Sequence, residues 1–171
     1  ANPGGVIVDI EAVAAVAKEA GIPLIVDNTM ASPYLCRPFE WGADIIVHSM
    51  TKFLGGHGNS MGGVVVESGK FDWAQNDKFP SMTEPSESYH GLIFYETFGD
   101  FGFTMKARAE GLRDLGPSLS PFNAFQIITG TETLPLRMDR HIANARAVAE
   151  FLDGHAKVDW VSYAGLPDSP F

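Results

Sequence analysis

Three short apolar runs constrain this chain most: IPLIVD at 22–27, ADIIVHS at 43–49 and GGVVVE at 62–67. Each has the length of a strand, is rich in Ile and Val, and ends at a polar residue. Runs with so little polar alternation read as strands buried on both faces. DIEAVAAVAKEAG precedes the first run, with apolar side chains at Ile10, Val13, Ala14, Ala17 and Ala20, the spacing of one helix face. Asp9 suits the N-cap of that helix and Gly21 its stop. Strands alternating with connecting segments predict an α/β fold with a largely parallel sheet covered by other elements. The third run follows a short glycine-rich turn, so an antiparallel orientation is open to it. In open α/β sheets chemistry gathers beyond the carboxyl ends of the strands, which brings Asp27 and Ser49 into view together.

Residues 68–104 are rich in Phe, Pro, Ser and Gly and read as long loops with short turns. FTMKARAEGLRDLG then reads as a helix closing at Gly116. SPFNAFQIITG reads as another, with Ser120 as N-cap and Pro121 at the first helical position. TETLPLRMDRHIANARAVAEFLDGH predicts a long amphipathic helix, its stripe made by Leu134, Met138, Ile142, Ala145, Ala149 and Leu152, with Pro135 acceptable only near its start. VDWVSY at 158–163 reads as the opening of a further strand.

The chain has 171 residues, 45% hydrophobic and 19% charged, a composition of folded rather than disordered protein. A net charge of −9 argues against nucleic acid and anionic membrane as partners. The single cysteine, Cys36, rules out an internal disulfide and fits a reducing compartment. No stretch approaches the ~18 uninterrupted apolar residues of a membrane span, and no signal-peptide pattern is present, so a soluble, cytoplasmic protein is expected. Both ends read as interior to a longer polypeptide: the chain opens in a loop, ANPGG, and stops just after the expected last strand.

The stretch HSMTKFLGGHG at 48–58 sets Lys52 between hydroxyl residues and a glycine-rich turn, directly after an apolar strand. A lysine amine can form a Schiff base with a carbonyl. Ser49 and Thr51 could hold a phosphate as hydrogen-bond donors, and Asp27 could pair with a pyridinium nitrogen. Together these are the three handles of pyridoxal phosphate. Each residue also has an ordinary reading. Strand-end aspartates cap turns, Ser and Thr near turns bond locally, and loop lysines are solvated. His48 and His57 lack the spacing of a helical metal pair. The glycine cluster matches neither the phosphate loop of nucleotide hydrolases nor the dinucleotide fingerprint. Cys36 has no obvious partner base and reads as packed rather than nucleophilic. Composition and spacing leave pyridoxal phosphate as one reading among these.

The segment VDNTMASPYLCRPFEWGADIIVHSMTKFLGGHGNSMGG, however, resembles the trans-sulfuration family, the pyridoxal-phosphate enzymes of cysteine and methionine metabolism. The family's attachment motif, D-I-x-x-x-S-x-T-K-(aromatic)-x-x-G-H, is matched from Asp44 to His57. TEPSESYHGL, KARAEGLRDLG, SPFNAFQIITGTETLPLRMDRH and NARAVAEFL are most similar to the O-acetylhomoserine sulfhydrylases within it. The resemblance implies the fold-type I transferase architecture (aspartate aminotransferase-like), a mixed, mostly parallel sheet with helices on both faces. Residues 1–135 would be part of the cofactor-binding large domain, and 136–171 the connecting long helix and the start of a small C-terminal domain. By resemblance, Lys52 carries the cofactor, Asp27 pairs with the ring nitrogen, Ser49 and Thr51 bind the phosphate, Thr29 lies against one ring face, and Asn2 sits near the phenolic oxygen. Met50, often a small residue in relatives, and Asn59, often a hydroxyl residue, are small departures.

The implied reaction is γ-replacement on O-acetyl-L-homoserine by sulfide or a small thiol, giving homocysteine or methionine plus acetate. Lys52 would serve first as nucleophile and then as proton carrier. A cystathionine γ-synthase or lyase, a methionine γ-lyase, or a non-catalytic segment that keeps only the fold are the alternatives. The resemblance also implies a homo-oligomer with a shared site, and places the ring-stacking tyrosine, the phosphate loop and the arginine for the substrate carboxylate outside these residues.

Overall fold

A computed structural model of the chain describes residues 5–167 and 169. Helix α1 (Ile10–Glu19) forms where the apolar spacing places it. The Asp9 carboxylate accepts the Ala12 N–H at 2.9 Å, and Gly21 ends the segment with φ +62°. The sheet has three strands in the order β1 (Ile25–Asp27), β2 (Ile45–Ser49), β3 (Gly63–Glu67). β1 runs parallel to β2, with Asp27 opposite Val47. β3 returns antiparallel, with Ser49 opposite Gly63. The sheet is therefore mixed, one pairing of each kind. Burial on both faces holds for β2 alone, where Ile45 and Ile46 are 1% and 5% exposed. In β1, Ile25 is exposed, as are Val65 and Val66 in β3, because both strands are edges of this sheet.

The reading of 68–104 as loops needs correction. After the one-turn helix α2 (Ser32–Leu35) between β1 and β2, this region contains α3 (Pro80–Thr83) and α4 (Phe94–Phe98) and leads into α5 (Gly102–Lys106), and it supplies most of the hydrophobic cluster around Ile45. Trp73, Met82 and Phe94 pack with Ile45 of β2, flanked by Phe71, Phe79 and Phe103. The Trp73 ring meets Phe71 and Phe79 edge-on and stacks on Phe103 at 5.6 Å. Helices of one turn are too short to show an apolar period, so aromatic content was their only signal. The Glu67 carboxylate, at the end of β3, accepts the Thr104 N–H at 2.9 Å and ties the strand to the start of α5.

The predicted helix over 103–116 forms, but with a wider turn: α5 passes into a π-helical stretch over Ala107–Asp114, and Gly116 closes it at φ +78°. Helix α6 (Pro121–Thr131) starts at Ser120 as expected, although the Ser120 side chain makes no capping bond. Helix α7 (Leu134–Asp153) carries Pro135 in its first turn. Of its predicted stripe, Leu134, Met138 and Ala149 are buried, whereas Ile142, Ala145 and Leu152 are exposed. No strand forms over 158–163. The segment has no pairing neighbour among the described residues, and an isolated apolar run does not become a strand alone.

Candidate active site

The parallel pair β1–β2 directs its carboxyl ends to one side, and the chain leaves those ends through Asp27 and Ser49. Thr29 joins them. Its backbone N–H donates to the Asp27 carboxylate at 2.9 Å, and its hydroxyl oxygen accepts the Ser49 N–H at 2.7 Å. Thr29 is itself buried. Hydrogen bonds from the Thr29 side chain and backbone hold the Asp27 carboxyl below its ordinary value, against a smaller opposing effect of burial. Asp27 thus stays ionised at neutral pH, the form needed to pair with a protonated ring nitrogen. The Ser49 hydroxyl has no hydrogen-bond partner among the described residues.

Beyond Ser49 the chain turns sharply. The Lys52 N–H donates to Ser49 O at 3.3 Å, Gly55 N–H to Met50 O at 2.9 Å, and Gly56 N–H to Lys52 O at 2.8 Å. The Thr51 hydroxyl accepts the Gly62 N–H at 3.1 Å and lies 3.4 Å from Gly62 O. That second contact is long for an O–H···O bond, so the proton is free to turn elsewhere. Met50 packs its Cε close to Gly62. Lys52 is exposed, and no hydrogen bond or ion pair holds its amine among the described residues. It lines a cavity of about 370 Å³ with Met30, Thr51, Phe53, Gly56, Gly58, Arg137 and His141. Asp27 does not line that cavity. The structure therefore brings together Asp27, Thr29 and Ser49 by hydrogen bonding, and Thr51 with Lys52 in one turn. Asn2 lies outside the described residues.

An exposed unpartnered amine, an unpartnered hydroxyl three residues before it and an ionised carboxylate on the neighbouring strand fit the aldehyde, phosphate and ring nitrogen of pyridoxal phosphate. The pattern of the Cys/Met metabolism PLP-dependent enzyme family matches residues 1–171. The chain belongs to that family. It is 58% identical to an O-acetyl-L-homoserine sulfhydrylase of Leptospira meyeri over 96% of this chain and 39% of the relative, and 52% identical to a homocysteine synthase of Schizosaccharomyces pombe over the same shares. A solved structure described as an O-acetylhomoserine (thiol)-lyase of Campylobacter jejuni, bearing N'-pyridoxyl-lysine-5'-monophosphate, superposes with TM-score 0.93 at 38% identity, covering 99% of this chain and 42% of that one. The chain thus spans about two fifths of the length of these relatives, and the superposition establishes the fold-type I architecture expected for this family.

Two buried residues at the site carried no signal in the family motif. Asn28, 5% exposed, donates from Nδ2 to Ser32 O at 3.2 Å and Cys36 O at 2.8 Å. Its own N–H donates to Val47 O at 3.0 Å. It thereby fixes the path of the chain leaving Asp27, including Ser32, a non-glycine residue at φ +60°. Only its place between Asp27 and Thr29 hinted at this. His48, 7% exposed, leaves Nδ1 without a hydrogen-bond partner among the described residues. Burial pushes its pKa below the ordinary value, while the Asp27 charge and the Asn28 backbone pull the other way. Above about pH 6.5 the ring is neutral whether the chain is folded or not, and His48 contributes no pH dependence. As pH falls below that value, the unfolded chain takes up the proton first and stability is lost, until the depressed folded pKa is passed. The unfolding temperature is expected to drop between pH 6.5 and 5, with a shallower drop in His48→Gln. Parallel curves for the two proteins would exclude His48 as the source. Cys36, half-buried, has its thiol pKa raised by burial and by Glu40, which agrees with a packed rather than nucleophilic role.

Proposed function

We propose that this chain is the central part of an O-acetylhomoserine sulfhydrylase, which replaces the γ-acetoxy group of O-acetyl-L-homoserine by sulfide or a small thiol. The observation that carries this reading is the unpartnered Lys52 amine, held in a tight turn at the end of a strand whose neighbour ends in an ionised Asp27. The match to O-acetyl-L-homoserine sulfhydrylase at 58% identity supports the choice of substrate. Pyridoxal phosphate supplies an aldehyde for the amine and an electron sink for the α-carbon. Lys52 provides the nucleophile and then moves the α-proton. Asp27 keeps the ring nitrogen protonated, and Thr29 orients Asp27 and the Ser49 backbone. The Ser49 and Thr51 hydroxyls donate to the phosphate. Asn2 is assigned to the phenolic oxygen.

The large-domain segment is taken to run to residue 135 and the connecting helix to start a small domain; α7, beginning at Leu134, supports that division. A homo-oligomer is proposed, supported by the exposed apolar residues Phe122, Phe125 and Ile128 along α6. A cytoplasmic location is supported by the single cysteine. Among the described residues no helix is long and apolar enough to cross a membrane.

The test is chemical. The full-length polypeptide is incubated with pyridoxal phosphate, reduced with borohydride and digested; the pyridoxyl mass is expected on the peptide containing Lys52. The same protein is then assayed with O-acetylhomoserine plus sulfide, with cystathionine and with methionine. Label on a different lysine overturns the site assignment. Turnover of cystathionine or methionine, with none of O-acetylhomoserine, moves the chain to another reaction of the family.

A further inference from the structure

The turn that carries Lys52 is closed by its own backbone bonds, and His57 Nδ1 lies 2.7 Å from Gly55 O. The Lys52 side chain is unpartnered, and the Gly56, His57 and Gly58 tip is exposed. Further support comes from the corner between α6 and α7. Arg137, in the first turn of α7, points its guanidinium back across that corner. Nη1 donates to Phe53 O at 2.8 Å. Nη2 donates to Gly130 O at 2.7 Å and lies 3.4 Å from Leu54 O. Nε donates to the Thr133 hydroxyl at 3.1 Å. All these acceptors are neutral; no carboxylate pairs with Arg137 among the described residues. Gly130 O is one of the last carbonyls of α6, which lack helical partners and favour a cation. One turn further along α7, the His141 ring packs on the Phe53 ring with centroids 5.3 Å apart. Gly56 lies so close that a Cβ there would sit 2.6 Å from Arg137 Cζ.

We propose that Arg137 is a positioning residue: it clamps the lysine turn to the end of α6 and so fixes where the Lys52 amine stands. This rests on Lys52 being the reactive lysine of the proposed function. The planar fork is what the task requires. It reaches carbonyls on two separate segments at once, those of Phe53 and Leu54 and that of Gly130, whereas a lysine ammonium is a single point. Without the fork, the Phe53 and Leu54 carbonyls lose their side-chain donor and Gly130 O keeps only the Thr133 hydroxyl at 3.4 Å, so the hydrogen bonds that join the lysine turn to the end of α6 are lost.

The test uses the full-length polypeptide carrying Arg137→Ala, Arg137→Lys, or Arg137→Gln, with Arg140→Ala, an exposed neighbour on the same helix, as control. Two quantities are read. The first is amide exchange over residues 53–57 in protein free of cofactor. The second is the rate at which pyridoxal phosphate and borohydride label Lys52. In the Arg137 variants exchange over the turn is expected to rise about tenfold or more while the sheet amides stay protected. Labelling of Lys52 is expected to slow by about 10- to 100-fold, the scale at which small misplacement of a reacting group is felt. Arg137→Lys should fail to rescue either quantity, and Arg140→Ala should match the wild type. If Arg137→Ala does not fold, Arg137→Lys and Arg137→Gln, which keep much of the stem, give the reading. Exchange and labelling indistinguishable from wild type overturn the proposal. So does faster exchange with unchanged labelling, which leaves Arg137 a merely structural role. Wild-type protein that takes up no label at Lys52 sinks the functional reading instead, and the exchange result still decides whether the clamp exists.

Discussion

Alanine at position 52 is expected to lower kcat of the full-length polypeptide by about 10³-fold or more, since the proposed function uses one amine both as nucleophile and as proton carrier. In protein free of cofactor the fold should hardly notice. The Lys52 side chain is exposed and holds no partner among the described residues, and surface changes of that kind stay within about 0.5 kcal/mol, or roughly 2 °C in unfolding temperature for a chain of this size. Lys52→Arg separates charge from chemistry. It keeps the cation, but a guanidinium does not deprotonate in a protein and cannot carry a proton back and forth. It should therefore be as inactive as alanine. Paired kcat and thermal-melt measurements check this; an active Lys52→Arg enzyme would show that position 52 contributes only charge.

Gly130→Ala is expected to be as damaging to the structure as Lys52→Ala is to the chemistry. In an ordinary helix interior, alanine in place of glycine stabilises by roughly 0.5–1 kcal/mol. Here a Cβ on Gly130 would overlap the Gly55 carbonyl oxygen and come within 2.7 Å of its carbon and 3.0 Å of its Cα. The obstacle is backbone, which cannot swing aside as a side chain can. Either α6 shifts or the lysine turn lifts, at a cost of about 2–3 kcal/mol, seen as an unfolding temperature lowered by roughly 5–10 °C. Relief by lifting the turn also slows labelling of Lys52. Gly111→Ala is the comparison, because a Cβ there meets nothing within 4 Å, and it should melt at or above the wild type. Gly130→Ala melting as high as Gly111→Ala would show that the two segments do not press on each other.

The residues of the proposed site were readable because a strand end, a hydroxyl and a lysine lie close together along the chain, and because the run from Asp44 to His57 resembles a family's attachment motif. α1 and α7 were readable because their apolar spacing is long enough to show a period. Trp73, Met82 and Phe94 were not, since they come from segments of one turn and from connections between them. The exposed faces of β1 and β3 were misjudged for another reason. An apolar run states that a strand wants cover but not which element provides it. Arg137 was invisible as a partner of the lysine turn because some eighty residues separate it from Phe53 and Leu54. Nothing in the spacing of LPLRMDRH indicates that its arginine folds back onto carbonyls rather than facing water. The resemblance places Thr29 against a ring face; the hydrogen bonds it makes to Asp27 and Ser49 add a task that its position in the sequence does not show.

The excursion from Ser49 to Gly63 is pinched at its root, where those residues pair across β2 and β3 and where Met50 N–H donates to Gly62 O at 2.8 Å. Its outer end, around Gly58 and Asn59, is unsupported, and a Cβ at Gly58 meets nothing within 4 Å. Doubling the length of a flexible loop costs only about 0.6 kcal/mol. Extra residues grafted beside Asn59 would therefore remodel the rim above the amine while the root kept its geometry. Evolution, or an engineer, has at that rim a place to reshape access to the cavity without disturbing the Lys52 nitrogen.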